Sequence, residues 1–97
     1  MKTYRGARTI DGIQVTVNDQ SLDERVDINQ FTDGGFEWTY EGDAPQQLAL
    51  ALLADHLGDN EQALALCSRF TRQVIADLDN EWVLSSADID AALNDDD

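Results

Sequence analysis

Ninety-seven residues carry twenty acidic side chains against six basic ones, for a net charge of −14, and Lys2 is the only lysine. That balance repels nucleic acid and anionic lipid, so it argues against direct DNA, RNA or membrane-surface binding. The length suits one domain with a small core, the single Cys67 rules out an internal disulfide, and no apolar run exceeds Leu48 to Ala54, far too short to cross a bilayer.

In chain order, Thr3–Ile10 and Ile13–Val17 flank Asp11-Gly12, a hairpin signal because both turn residues tolerate positive φ. Ile13, Val15 and Val17 alternate with Gln14 and Thr16, so one face is buried. Asn18–Ser21 reads as a turn. Leu22–Phe31 leans towards an edge strand, with Val26 and Ile28 alternating against Arg25, Asp27 and Asn29. Phe36–Glu41 reads as a strand with Phe36, Trp38 and Tyr40 on one face and Glu37, Thr39 and Glu41 on the other. Asp43 is a candidate helix cap with Gln46 three residues on, and Pro45 is tolerated in the first turn. Leu48–Leu57 is apolar around nearly its whole circumference, the pattern of a helix buried on several sides, and Gly58 is placed to end it.

Asp59 and Gln62 open a second helix, whose stripe runs Ala63, Leu66, Cys67, Phe70, Val74 and Leu78 up to a break at Asp79-Asn80. Glu81–Leu84 is a short extended run able to join the sheet. Ser85 and Asp88 form a capping pattern for a last helix with Ile89, Ala92 and Leu93 facing inward. The expected fold is α+β: an antiparallel sheet of three to four strands, hairpin first, packed by two to three helices over residues 1–93, with an acidic tail at 94–97. In that order the strands come first and the three helices follow.

Gly35-Phe36-Glu37-Trp38-Thr39-Tyr40 and Gly42–Leu53, with the ending His56-Leu57-Gly58-Asp59, resemble a family of small uncharacterised proteins from bacteria, haloarchaea and phages, grouped as a domain of unknown function. Tyr4-x-Gly6-x-Arg8 and Trp82-x-Leu84 fit the same pattern, so the resemblance covers most of the chain. Thr39 departs from it, where glycine is expected. The resemblance implies a compact stand-alone domain, often carried by mobile elements, and brings no activity with it.

Each candidate site has a plain structural reading beside the functional one. Trp38, with Phe36 and Tyr40, is either a stacking platform or the core face of a sheet; the acidic surface favours the core. Glu37 and Glu41 on one strand would lie about 13 Å apart, too wide for a paired-carboxylate hydrolase. Glu37 between two aromatics reads as the partner of Arg8 or Arg5. His56, near Asp55 and Asp59, is the one metal or proton-transfer candidate, yet a single His falls short of a zinc set and suits a helix C-terminus. Cys67 on an apolar stripe reads as buried and inert. Arg69 and Arg72 on one helix face are candidate anchors for a partner, or local ion pairs.

No nucleophile elbow, phosphate loop, dinucleotide fingerprint or HExxH occurs. The expected protein is therefore not an enzyme, binds no cofactor or metal, and is a cytoplasmic protein-interaction module of a halophile or its mobile elements, monomeric or weakly dimeric, with an unnamed protein partner. The Asp excess and the near-absence of lysine fit salt adaptation, since lysine's apolar stem is avoided there. A nucleic-acid mimic that inhibits a DNA-binding protein is the alternative. A small enzyme using Glu37 or His56 is the third reading.

Overall fold

The computed structural model describes residues 2–94. Strands β1 (Thr3–Thr9), β2 (Gly12–Val17) and β3 (Gln20–Ser21) come first. Helices α1 (Asp43–Leu57) and α2 (Asn60–Gln73), a 3-10 turn (Ile75–Asp77), strand β4 (Glu81–Ser85) and helix α3 (Ser86–Leu93) follow. The sheet is antiparallel in the order β3-β2-β1-β4, so the late strand closes onto the first. The α+β class expected from sequence is the fold observed. Its order differs: the strands do not all precede the helices, because Glu81–Ser85 returns beside β1 before α3 begins.

The β1–β2 turn sits one residue earlier than Asp11-Gly12 implied. Its loop residues are Ile10 and Asp11, Thr9 pairs with Gly12, and the left-handed residue is Gly12 at φ 110. Neither Ile10 nor Asp11 has positive φ, so the two-residue I′ turn that Asp-Gly signals is not formed and the glycine alone takes the left-handed position. The Thr9 hydroxyl clamps it, donating to Gly12 O and accepting from Asp11 N. The β2–β3 turn places Asn18 and Asp19 at φ 49 and 70, both positive as a type I′ turn requires.

Two expected strands are absent. Leu22 still donates its amide to Val15 O at 3.0 Å, but the chain leaves the sheet beyond it; Arg25 turns left-handed at φ 56 and ends any extended run. Phe36–Glu41 is irregular, because Gly35 (φ 83) and Thr39 (φ 79) bend the chain just before the first and the last of the three aromatics. Phe36 and Trp38 remain buried as the alternation demanded, while the bend at Thr39 turns Tyr40 out to 49% exposure. The whole segment from Leu22 to Gly42 therefore has no regular structure, and Gln47 of α1 holds it. That side chain is fully buried; it accepts from Phe31 N at 2.7 Å and donates to Glu24 O at 2.7 Å and Asn29 O at 3.1 Å. An irregular segment so long stays ordered only where its backbone groups find partners.

Leu48 to Leu53 are completely buried, as a helix apolar all round requires. Asp43 does not cap α1: Gly42 holds the cap position without a side-chain bond, and Gln46 reaches Ser68 instead. Gly58 ends α1 left-handed at φ 66. Asp59 caps α2 by accepting from Gln62 N, and Ser85 and Asp88 form a complete capping box on α3. The second helix stops at Gln73, so Val74 and Leu78 pack against the core from outside it. Of the expected tail, Asn94 caps α3, and residues 95–97 lie outside the described residues.

Candidate interaction surface

The register separates the two faces of the sheet. Tyr4, Gly6 and Arg8 pair with Val17, Val15 and Ile13 on one side and, for the first two, with Leu84 and Trp82 on the other. This inner face is buried at Tyr4, Gly6, Val15 and Trp82, while Ile13 at its far end is exposed, against the expectation from its alternation with Val15 and Val17. It explains the period-two spacing of Tyr4-x-Gly6-x-Arg8 and Trp82-x-Leu84. The Trp82 indole lies over Gly6 so closely that a methyl group there would stand 2.3 Å from its Cε2. Trp82 meets Trp38 edge to face, with ring centres 5.7 Å apart at 87°. Neither indole nitrogen has an acceptor among the described residues, so the pair is held by shape and ring contact.

Arg8 gathers the rest of this cluster. One guanidinium nitrogen donates to Asn80 Oδ1 at 2.7 Å; the other donates to Glu37 Oε1 at 2.7 Å and Trp38 O at 3.0 Å. Its carbon stands 4.7 Å from the centre of the Trp38 ring, within cation–π range. Glu37 is thus the partner of Arg8, and Trp38 is a core residue with no exposed surface. Arg8 ties the irregular segment to β1 and to the approach of β4.

The other candidates are dispersed. Glu41 is exposed beyond the cluster. His56, in the last turn of α1, pairs with Asp90 of α3 at 2.6 Å and joins those helices. Arg69 donates to Leu93 O at 3.4 Å, while Arg72 is exposed in the last turn of α2. Cys67 is buried with Sγ 3.2 Å from Leu64 O, and burial pushes its thiol up. Among the described residues, no group of three or more His, Cys, Asp or Glu could hold a metal ion. No helix among them is long and apolar enough to cross a membrane.

Sequence reasoning did not single out a further inner-face cluster. The Tyr4 hydroxyl donates to Asp55 Oδ2 at 2.8 Å, and Lys2 reaches the same oxygen at 3.0 Å. Burial first, then the hydrogen bond and the charge of Asp55, push the Tyr4 phenol well above its ordinary value. The signal was present in the period-two position of Tyr4, but nothing in the sequence paired it with a residue fifty positions away.

The outer face of the sheet is different in kind. Thr3, Arg5, Ala7 and Thr9 of β1, Gln14 and Thr16 of β2, Ser21 of β3 and Glu81, Val83 and Ser85 of β4 point there by the register. Only Arg5 and Glu81 among them carry charge, in a chain with twenty acids. Among the described residues, the other carboxylates follow the turns, the irregular segment and the helices, from Asp11 and Asp19 to Asp59, Asp79 and Asp90. Across Arg5, Ala7, Gln14, Thr16, Glu81 and Val83 the face forms a concavity of about 500 Å³, floored by Gly6 and Trp82. A second concavity of about 390 Å³ lies by β2 and Phe36. Glu37, Glu41 and His56 line neither. Val83 is 53% exposed, and Arg5 makes no ion pair or hydrogen bond among the described residues.

A family model described as a family of unknown function (DUF6166) matches residues 4–95. No curated protein matches the chain. No solved structure matches it either.

Proposed function

From a chain that belongs to DUF6166, a family of unknown function, we infer a non-enzymatic protein-interaction module whose recognition surface is the outer face of the sheet. The observation that carries this reading is the near-neutral, concave outer face of a chain with net charge −14. Interface centres are depleted of charge and tolerate one or two anchoring ions, here Arg5 and Glu81. A carboxylate-rich surface elsewhere deters unspecific association and leaves this face for the partner. The Asp excess and the single lysine fit work in a salt-rich cytoplasm, where screening acts over a few ångströms.

The spread of carboxylates over turns and helices weighs against a nucleic-acid mimic, which needs them on one face. Glu37 locked to Arg8, and His56 locked to Asp90, weigh against the small enzyme. The test is capture from host lysate at the host's own salt, with and without nuclease, using the wild type, the double variant Arg5→Glu/Val83→Asp, and Leu64→Asp on the exposed side of α2. A nuclease-indifferent partner retained by Leu64→Asp and lost by the double variant supports the reading. A basic nucleic-acid-binding protein held equally by all three, and more tightly after nuclease, would replace it with mimicry.

A further inference from the structure

Strand β4 is an edge of the sheet, and its hydrogen-bonding pattern can be worked out residue by residue. Asn18 N donates to Thr3 O, so the odd residues of β1 direct their backbone groups to β2. Ser86 N donates to Lys2 O, so the even residues of β1 face β4 and bond the even residues there, Trp82 and Leu84. Glu81, Val83 and Ser85 therefore turn their N–H and C=O groups outward. The N–H of Ser85 is taken by Asp88, and its C=O lies at the cap position of α3, where it accepts the first helical bond. Glu81 and Val83 retain their outward groups, and no described residue bonds them.

Natural edges are blunted by shortness, proline, lysine or a bulge. The opposite edge is blunted that way, since β3 is two residues long. β4 has none of these devices: its register with β1 runs unbroken, and its centre is Trp82-Val83-Leu84. Its only acid, Glu81, stands at the start, with Asp79 and Asp77 just before it.

We propose that the free edge of β4 takes up an extended, lysine- or arginine-bearing segment of a partner protein by strand addition, with the outward backbone groups of Glu81 and Val83 as the ladder and Asp77, Asp79 and Glu81 as the charge that selects it. This rests on the reading of the protein as an interaction module and gives that module a binding mode. A second copy of the chain fits less well. A two-fold axis at Val83 would set Glu81 against Ser85 of the other copy, whose backbone groups are already engaged, and would bring together two chains of net charge −14 each.

The test titrates the full chain with a capped peptide of alternating lysine and valine, six residues long, followed by the backbone amide resonances. Three probes accompany it: the same peptide N-methylated at its central valine, a glutamate-for-lysine version, and the variant Val83→Pro. Proline is tolerated on an edge whose N–H faces outward. The expected result is perturbation centred on Glu81 and Val83, about tenfold weaker binding after N-methylation, no binding of the glutamate peptide, and loss in Val83→Pro. Should that variant not fold, the N-methylated peptide on the wild type decides alone. Equal affinity for the methylated peptide, perturbation centred elsewhere, or dimerisation through β4 overturns the proposal. If the peptide fails while Ala7→Arg still abolishes lysate capture, strand addition falls and the interaction module stands. If Ala7→Arg is also without effect, both fall.

Discussion

Thr39 occupies a backbone conformation that its side chain opposes. At φ 79 a β-branched residue is strained. Its amide donates to Ile75 O at 3.1 Å, which holds the bend against the 3-10 turn, and its exposed hydroxyl makes no hydrogen bond among the described residues. Replacing it with glycine keeps the amide bond and removes the Cβ clash. The left-handed conformation costs an L-residue about 1–2 kcal/mol. Glycine gives back about 0.5–1 kcal/mol through its freer unfolded chain. The net expectation for Thr39→Gly is a gain of about 0.5–1 kcal/mol, which in a domain of this size raises Tm by about 2–8 °C. Chemical denaturation with an unchanged m-value measures it, with Thr39→Ala as the control that keeps the Cβ and most of the strain. A neutral or destabilising Thr39→Gly, or an equal gain in Thr39→Ala, would refute the strain argument.

Gly6→Ala places a methyl 2.3 Å from the Trp82 ring and is expected to destabilise by about 1–3 kcal/mol; a thermodynamic cycle with Trp82→Ala should show strong non-additivity, because removing the ring removes the clash. Gln47→Ala strips partners from Phe31 N, Glu24 O and Asn29 O and should cost about 2 kcal/mol or more, with hydrogen exchange in the Leu22–Gly42 segment accelerating before that of α1. The Tyr4 phenol has its proton affinity raised by folding, so its contribution is complete below the ordinary tyrosine range near pH 10 and is lost as pH climbs above it. Stability against pH should therefore fall on the alkaline side, and Tyr4→Phe should flatten that limb.

The sequence displayed features set by local chemistry. Capping by Asp59 and Ser85, the left-handed stop at Gly58 and the all-apolar α1 need only neighbours a few residues apart, whereas of the β2 alternation only Val15 is buried and Ile13 is exposed. Phe36–Glu41 shows the limit: its alternation correctly marked Phe36 and Trp38 as buried, yet burial at period two does not require a strand. The segment has no neighbouring strand to pair with; Arg8 and a single bond to Ile75 hold it instead. Glu37, lying between two aromatics, was legible as the partner of Arg8 or Arg5, and the structure selects Arg8. Gln47 was hidden inside an apolar helix as one more polar residue, and its three backbone partners lie sixteen to twenty-three residues away. The outer face was invisible because it is defined by which residues lack charge, and that pattern emerges only once β4 is laid against β1.

The most direct test of the central claim is to map the contact of the captured partner on the full chain by backbone amide shifts and hydrogen exchange. Changes confined to Arg5–Ala7, Gln14–Thr16 and Glu81–Val83 are the predicted result. Changes centred on the exposed side of α2 around Leu64, with the sheet unaffected, would contradict it.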